Sequence, residues 1–413
     1  MQPAGDETTA QETVARVFRE EYARAVAVLV RLLGDIDAAE EAVQDAFTVA
    51  VERWSVRGVP PSPSGWIITT ARNRAIDVAR RERRRGDLQA AAMLLSSPTI
   101  VSPPDITPEE PVADDRLRLL FTCCHPALGE PAQVALTLRV IAGLQTPEIA
   151  RAFLVPEATM AQRIVRAKGK IRDARIPYRV PDRAELASRL RPALSAVYLI
   201  FTQGHTATSG ARLVRADLCD EAIRLGRLLL ELMPDEPEVR GLLALMLLVD
   251  ARRAARTNDA GEMVLLAEQD RASWDRAMIA EGQELVRECL RINAPGPYQI
   301  QAAINAVHSD AYSAAETDWG QVLQLYDQLM RVAPGPIVAL NRAVALGEVE
   351  GAEAALAVVD RLGLDGYYLY HTIRGDLLRR VGQRDASRVA YGRALDLCAN
   401  PVERGFLERK VRG

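Results

Sequence analysis

Polar and basic side chains recur at helical spacing along the stretch 157–174. They share one face of the predicted helix and comprise Thr159, Gln162, Arg163, Arg166 and Lys170. A glutamine amide can pair with the edge of an adenine base, and an arginine can pair with a guanine edge or a phosphate. A helix with such side chains on its exposed face is suited to the major groove of DNA. A solvated basic face is the alternative interpretation of the same pattern.

The residues around this stretch predict a helix-turn-helix. The opposite face of the stretch is apolar, and its expected buried set is Met160, Ile164, Ala167 and Ile171. Upstream, Thr146 is the expected N-cap of a preceding helix, with Pro147 at the first helical position. The tight turn between the two helices is expected at Phe153–Pro156. The preceding helix and the turn favour DNA binding over a merely solvated face.

A second basic helix is predicted from Trp66 to Arg84, after a proline-rich loop at Ser55–Gly65. Seven arginines lie between Arg72 and Arg85. One face of this helix carries Asn73, Asp77, Arg80, Arg81 and Arg84. The short side chains of Asn73 and Asp77 could read exposed bases. Trp66 either stacks on a base or belongs to the core.

An acidic helix precedes these basic elements. The segment Asp35–Asp45 contains five acids and no base, while apolar side chains from Ala39 to Trp54 follow a helical stripe. The whole chain has a net charge of −3, which does not mark it as a nucleic-acid binder. Acidic and basic blocks that alternate along one chain indicate several separate partner surfaces.

The sequence divides into four parts. Residues 1–85 hold the acidic helix and the first basic helix, and 86–113 form an acidic, proline-rich linker. Residues 114–179 hold the helix-turn-helix, and 180–413 hold recurring helix pairs separated by prolines.

The helix pairs have a repeating length. Aligning Gly347 with Gly382 also aligns Ala355 with Ala390 and gives a 35-residue period. That period is close to the tetratricopeptide repeat, whose helix pairs stack into a solenoid. With only 5% aromatic residues and abundant Ala, Leu and Arg, the chain is predicted to be all-α.

Composition and motifs disfavour several function classes. No apolar run is long enough to cross a bilayer and the N-terminus lacks a signal-peptide pattern, so we expect a cytoplasmic protein without membrane contact. No phosphate loop or nucleophile motif is present, so we expect neither an enzyme nor a bound cofactor. Cys123-Cys124-His125 has too few neighbouring ligands for zinc, so no metal is expected. The polar loop Phe201–Gly210 either binds a ligand or partner or merely connects two helices.

Three stretches resemble the extracytoplasmic-function (ECF) sigma factors, which are dissociable, promoter-recognising subunits of bacterial RNA polymerase. Leu32–Trp54 and Ser64–Arg85 are similar to region 2 of that family, and Leu138–Ala174 is similar to region 4. The two motifs occur in the family's order, with an acidic proline-rich segment between them. The helical repeats resemble a subgroup with a C-terminal tetratricopeptide-like extension, which supports or controls activity.

The resemblance implies roles for matching residues. The surface that docks on the clamp helices of the polymerase β′ subunit would comprise Glu40, Glu41, Gln44 and Asp45, with Phe47 packed beneath. The −10 element would be melted and read by Trp66, Asn73, Arg74, Asp77, Arg80 and Arg81. The −35 element would be read by Thr159, Gln162, Arg163, Arg166 and Lys170. The implied partners are the β and β′ subunits of core RNA polymerase and promoter DNA, and the repeats offer a groove to a peptide or protein.

Two functions compete at this point. The resemblance implies a subunit that binds core polymerase and directs promoter-specific initiation, with a C-terminal helical domain that modulates activity. The alternative is a DNA-binding regulator or adaptor that uses the repeats to hold partners and never joins polymerase. The acidic helix discriminates between them, because a plain regulator has no need of it.

Overall fold

The computed structural model describes residues 4–90, 112–153, 155–206 and 213–412. It describes the backbone alone at 4–12, 19–20, 78–90, 112–114, 183–184 and 187. The described residues form helices and turns without a β-strand among them, so the predicted all-α fold is confirmed. They group into two compact units, unit 1 (Met1–Ala196) and unit 2 (Val197–Gly413). None of the described helices is both long enough and apolar enough to cross a membrane.

Unit 1 contains two helical bundles. The first bundle comprises α1 (Ala4–Leu33), α2 (Ile36–Arg57) and α3 (Pro63–Ala90). The second bundle comprises α4 (Val112–Cys123), α5 (Glu130–Val140), α6 (Thr146–Ala152) and α7 (Glu157–Asp173). Helix α8 (Arg183–His205) begins in unit 1, and its last residues belong to unit 2.

Defined helix ends and aromatic packing shape the first bundle. Gly34 follows α1 with a φ of 70°, a left-handed conformation that glycine adopts at little cost. Asp35 caps α2, because its carboxylate accepts a hydrogen bond of 2.9 Å from the backbone N–H of Ala38. Phe18 of α1 packs edge-on against Phe47 of α2, with ring centroids 4.9 Å apart. The cap therefore fixes where the acidic helix begins, and the rings hold it against α1.

The connection between α2 and α3 is shorter than the sequence indicated. A loop was predicted at Ser55–Gly65, whereas α2 continues to Arg57 and α3 begins at Pro63. The N–H groups in the first turn of a helix have no partner within the helix, so a proline, which lacks this group, is tolerated there. Pro63 therefore starts α3 instead of breaking it. At its other end α3 continues to Ala90, beyond the predicted boundary at residue 85.

Helices α6 and α7 form the predicted helix-turn-helix. The N-cap of α6 is Gln145, one residue before the predicted Thr146. The carboxylate of Glu148 accepts a hydrogen bond of 2.7 Å from the backbone N–H of Gln145 and closes a capping box. The predicted buried face of α7 is confirmed and comprises Met160, Ile164, Ala167 and Ile171.

The first half of α8 packs into unit 1. Arg189 is 3% exposed, and its guanidinium donates a hydrogen bond of 3.2 Å to the carbonyl oxygen of Phe121. Leu186 is also buried. The sequence placed the start of the C-terminal domain at residue 180, whereas unit 1 extends to Ala196. A truncation that preserves these contacts would therefore end at Ala196.

Unit 2 is a succession of helix pairs, each packed against the next along the chain. The pairs are α9 (Ala216–Leu232) with α10 (Pro237–Asp250), α11 (Arg276–Ile292) with α12 (Pro297–Asp310), α13 (Trp319–Val332) with α14 (Pro336–Val349), α15 (Ala352–Val359) with α16 (Tyr368–Arg380), and α17 (Arg384–Leu397) with α18 (Pro401–Arg412). Proline begins the second helix of four pairs, where its fixed φ suits the first turn. This succession is the predicted solenoid of helix pairs.

The repeat register differs from the one read in the sequence. Gly347 lies inside α14, whereas Gly382 lies between α16 and α17. The position that corresponds to Gly382 is Gly351, because both precede a first helix and both have a positive φ, 83° and 97°. Ala355 and Ala390 do occupy equivalent helices and are both buried. A period read from a few small residues therefore locates the helix pairs but not their exact register.

Candidate nucleic-acid and protein interfaces

The outer face of α7 brings together the five side chains predicted to read DNA. Thr159, Gln162, Arg163, Arg166 and Lys170 all line one depression of about 330 Å³ beside the loop that precedes α5. Leu128 and Gly129 form its other wall. The sequence predicted the shared face, but not the loop that completes the depression.

The cations of this depression have no acidic partner among the residues of unit 1 that the structure describes. Arg166 and Lys170 are exposed. Arg163 lies over the ring of Phe153, with its guanidinium carbon 5.6 Å from the ring centroid. Among the described residues, none of the three cations forms a salt bridge. The outer face of α7 therefore presents positive charge and hydrogen-bond donors to a partner outside the chain.

The exposed face of α3 carries only part of the second predicted site. Asn73 and Asp77 are exposed. Arg74 is exposed as well, but it forms a salt bridge of 3.1 Å with Asp45 of α2. Trp66 is half-buried and packs edge-on against Trp54, with ring centroids 5.5 Å apart, so its position combines both interpretations from the sequence. The side chains of Arg80 and Arg81 lie outside the described residues.

The predicted docking residues of the acidic helix α2 lie partly at the surface and partly in the core. Glu41 and Gln44 are exposed, and the Asp45 side chain is about half exposed. Phe47 is buried beneath them, as predicted.

Glu40, which was predicted on the same open surface, is covered in this structure. Glu40 is only 4% exposed. Its carboxylate accepts a hydrogen bond of 2.6 Å from the hydroxyl of Tyr22 and pairs with Arg139 at 3.2 Å. Lys168 of α7 also contacts it. The physical reason is that two cations of the second bundle close over this carboxylate and neutralise it.

We call this group, Tyr22, Glu40, Arg139 and Lys168, the Glu40 cluster. Lys168 also donates a hydrogen bond of 2.9 Å to Asp37, so the ammonium holds two acids of α2. Burial lowers the pKa of Lys168, but the carboxylates of Glu40 and Asp37 raise it above its ordinary value. Burial and the Glu40 carboxylate raise the pKa of Tyr22, so its phenol stays protonated. The cluster is therefore a charged contact between the two bundles.

Sequence reasoning missed three members of the cluster, Tyr22, Arg139 and Lys168. A weak signal was present, because Glu40 follows the buried Ala39 and precedes the buried Val43 by one helical turn. Lys168 likewise follows Ala167 of the buried stripe. Both charges therefore sit at the edge of a core face, where burial needs an opposite charge. Because Glu40 and Lys168 are far apart in sequence, the sequence pattern did not indicate that they pair.

The cysteines of the second bundle are part of its core. Cys123 and Cys124 are free and buried at the end of α4. Burial raises the pKa of Cys124 to about 12, so the thiol stays protonated. His125 follows them, and its Nδ1 accepts a hydrogen bond of 3.1 Å from the backbone N–H of Ala127. No cluster of three or more metal-ligating side chains occurs in the part of the chain that the structure describes.

A bundle with an arginine-rich helix is followed by a helix-turn-helix whose basic outer face has no acidic partner among the described residues, and such an arrangement is typical of DNA-binding proteins. Residues 17–85 match the Sigma-70 region 2 family, and residues 118–171 match the Sigma-70 region 4 family. Residues 189–290 match DUF6596, a family of unknown function. The chain belongs to the ECF sigma factors and carries a C-terminal DUF6596 extension. The first bundle is therefore region 2, and the second bundle is region 4.

Relatives cover the chain to different extents. An uncharacterised protein of Rhizobium meliloti (strain 1021) is 44% identical over 391 residues, which are 94% of this chain and 92% of that protein. The probable ECF RNA polymerase sigma factor SigI of Mycobacterium tuberculosis is 28% identical over 169 residues. Those residues are 40% of this chain and 56% of the SigI chain. No solved structure matches the chain.

Proposed function

We propose that this sigma factor binds core RNA polymerase and directs promoter-specific initiation, reading the −35 element with α7 and the −10 element with α3. The observation that carries the proposal is the depression on α7, which gathers all five predicted side chains. Recognition helices place such donors against base edges in the major groove. Gln162, Arg163 and Arg166 supply base contacts, while Thr159 and Lys170 supply contacts to the backbone.

The −10 element is assigned to the exposed face of α3. Asn73 and Asp77 offer hydrogen bonds to unstacked bases, and Trp66 offers part of its ring as a stacking surface. Arg74, Arg80 and Arg81 supply the positive charge that holds the backbone. Opening of the salt bridge between Arg74 and Asp45 would release one more cation for this task.

Polymerase binding is assigned to the exposed part of α2. Glu41, Gln44 and Asp45 form an acidic face that is complementary to a basic partner, which we take to be the clamp of the β′ subunit. Phe47 packs beneath this face and holds α2 against α1. We assign contacts with the β subunit to region 4.

The Glu40 cluster sets a condition on this function. The −10 and −35 elements are separated by about 25 base pairs, or roughly 80 Å of duplex. Regions 2 and 4 touch each other through Lys168 and Glu40, so they cannot read both elements in this arrangement. Binding to polymerase must therefore separate them, and Glu40 then joins Glu41 and Asp45 on the docking surface.

We assign to unit 2 a supporting role in activity. It accounts for residues Val197–Gly413 and forms a compact unit of its own. Its stacked helix pairs offer an extended surface to polymerase, a peptide or a protein. If unit 2 supports activity, a chain that ends at Ala196 should transcribe much less than the full chain at equal abundance.

A run-off transcription assay with purified core polymerase and genomic promoter fragments tests the proposal. The full chain should yield discrete transcripts that core enzyme alone does not produce, and it should co-purify with core. DNA binding without co-purification or transcription would instead favour the regulator that never joins polymerase.

A further inference from the structure

Unit 2 contains an open cavity of about 450 Å³, a size typical of small-molecule sites. Five aromatic rings line it together with aliphatic side chains, and the rings belong to Tyr198, Phe201, Tyr326, Tyr367 and Tyr368. Side-chain amides of Gln301, Asn305 and Asn341 also line it. The described part of the polar loop Phe201–Gly210 contributes to the same wall. Promoter reading and polymerase binding, as proposed above, leave this cavity without a role.

A half-buried arginine, Arg252, lies behind the amide wall. Arg252 donates a hydrogen bond of 3.0 Å to Oδ1 of Asn305, and its guanidinium carbon lies 5.8 Å from the ring centroid of Trp274. Both of these partners are neutral. Burial, together with the charges of Arg256 and Arg271, lowers the pKa of Arg252 to about 10, so it remains a cation at neutral pH. A partly desolvated cation without a counter-ion is costly, and an anion bound beside it would reduce that cost.

A second guanidinium lies behind the adjoining wall, which His205 and Thr206 form. Arg256 donates one hydrogen bond to the carbonyl oxygen of His205 and another of 3.2 Å to Oγ1 of Thr206. Nδ1 of His205 is buried and has no hydrogen-bond partner within the described residues. Burial and the charge of Arg256 hold the pKa of His205 well below its usual range, so its ring is neutral. This wall also lacks a charge that would neutralise Arg252.

The acidic side chains near these arginines already accept hydrogen bonds from other residues. Asp250 and Asp220 both accept hydrogen bonds from Arg253, at 2.9 Å and 2.6 Å. Glu403 accepts a hydrogen bond of 2.8 Å from the hydroxyl of Tyr368, and burial raises its pKa, which weakens it as a counter-ion for Arg256. The cavity therefore combines aromatic side chains with a neighbouring cation, Arg252, that has no acidic partner among the described residues.

We propose that this cavity binds a small organic monoanion, a carboxylate carried on a flat, aromatic body. The body would stack between the tyrosine rings. The carboxylate would lie at the amide wall, where it could displace Asn305 and take the fork of Arg252. The site belongs to unit 2 alone, so it stands whether or not the proposed promoter reading is correct.

Matched acids and amides provide the probes. We would measure binding of 4-hydroxybenzoate and indole-3-acetate to the full chain by calorimetry and thermal unfolding, beside 4-hydroxybenzamide and indole-3-acetamide. The acids should bind at least about tenfold more tightly than the amides, because a charge-assisted hydrogen bond is worth more than a neutral one. Equal binding of acids and amides, or no binding of either acid up to 10 mM, roughly the limit expected for ligands of this size, would overturn the proposal.

Substitution of Arg252 separates a ligand role from a structural one. Arg252→Gln should abolish the preference for acids and keep the weak binding of amides. It should leave the unliganded chain at least as stable, because a partly desolvated charge without an acidic partner is removed. Arg256→Gln gives a second test if that variant fails to fold. Arg287→Gln, an exposed arginine on α11 paired with Glu284, is the control and should change nothing. Lower stability of Arg252→Gln with an unchanged acid preference would contradict the proposal.

Discussion

Helices α7 and α2 each carry a strongly charged face in unit 1. The two faces differ in whether their charges are paired with other residues of the chain. On α7, Arg166 and Lys170 point outward and form no salt bridge within residues 4–90, 112–153 and 155–196. On α2, Glu40 is buried and already contacts two cations of region 4. The basic face is therefore open to an outside partner, whereas the acidic face is partly closed by the same chain.

The contrast shows what a charge pattern can reveal. Spacing on a helix indicates which charges share a face, because that depends on local geometry alone. Whether a charge is free depends on residues far away in sequence, such as Arg139 and Lys168 for Glu40. A predicted binding face therefore needs a test of its partners within the chain.

Removal of the buried carboxylate should have the largest effect on stability. Glu40→Ala leaves Tyr22, Arg139 and Lys168 without their shared acceptor, and the loss of one partner of a buried ion pair costs about 3 kcal/mol. Hydrogen exchange of the α2 amides, which reports on unit 1 separately from unit 2, measures the change. The control is Glu41→Ala on the adjacent exposed position, which should stay within about 0.5 kcal/mol of the parent chain. Equal effects of the two variants would remove the contrast between buried and open acids.

Arg166→Ala should weaken binding to a −35 element by about 1–3 kcal/mol, the usual value of a good base contact. Arg166 is exposed and has no partner among the described residues, so stability should not change. Fluorescence anisotropy with promoter and scrambled duplexes measures the loss of affinity and of specificity. Arg172→Ala provides the control, because Arg172 lies on α7 but pairs with Asp37 and Asp173 of its own chain. Wild-type promoter binding by Arg166→Ala would show that α7 does not read DNA.

Reversal of Glu41 and Asp45 to Lys should weaken binding to core polymerase by about tenfold, or about 1.4 kcal/mol. The acidic face would become basic and would repel a basic partner. The fold should persist, because the exposed pair of Asp45 with Arg74 contributes at most about 1 kcal/mol. The neutral variant Glu41→Gln with Asp45→Asn should give an intermediate loss. Unchanged assembly with core would mean that the docking surface lies elsewhere.

Lys170→Ala should have the smallest effect. As a phosphate contact it should weaken binding to all duplexes alike, and the slope of log K against log salt should fall by about 1. Anisotropy titrations over a range of KCl concentrations measure that slope. A loss confined to the promoter sequence would assign Lys170 to base reading instead.

Local elements were predictable to different degrees. The buried stripe of α7 and its opposite polar face followed from 3.6-residue spacing, and both were predicted correctly in position. The start of α3 was predicted too late, because prolines read as a loop and Pro63 is instead its first residue. The Glu40 cluster, the first half of α8 in unit 1 and the cavity of unit 2 could not be read, since each depends on contacts between distant segments.

The distance between regions 2 and 4 provides the most direct test of the account. Fluorescent labels at Ala15→Cys on α1 and Asp173→Cys at the end of α7 occupy exposed positions, and the five native cysteines are buried. In the free chain, energy transfer should be high, because the Glu40 cluster holds the two regions in contact. With core polymerase and promoter DNA, the energy transfer should fall to the value expected for labels roughly 80 Å apart, which is the separation of the two promoter elements. Unchanged transfer in a transcriptionally active complex would contradict the account.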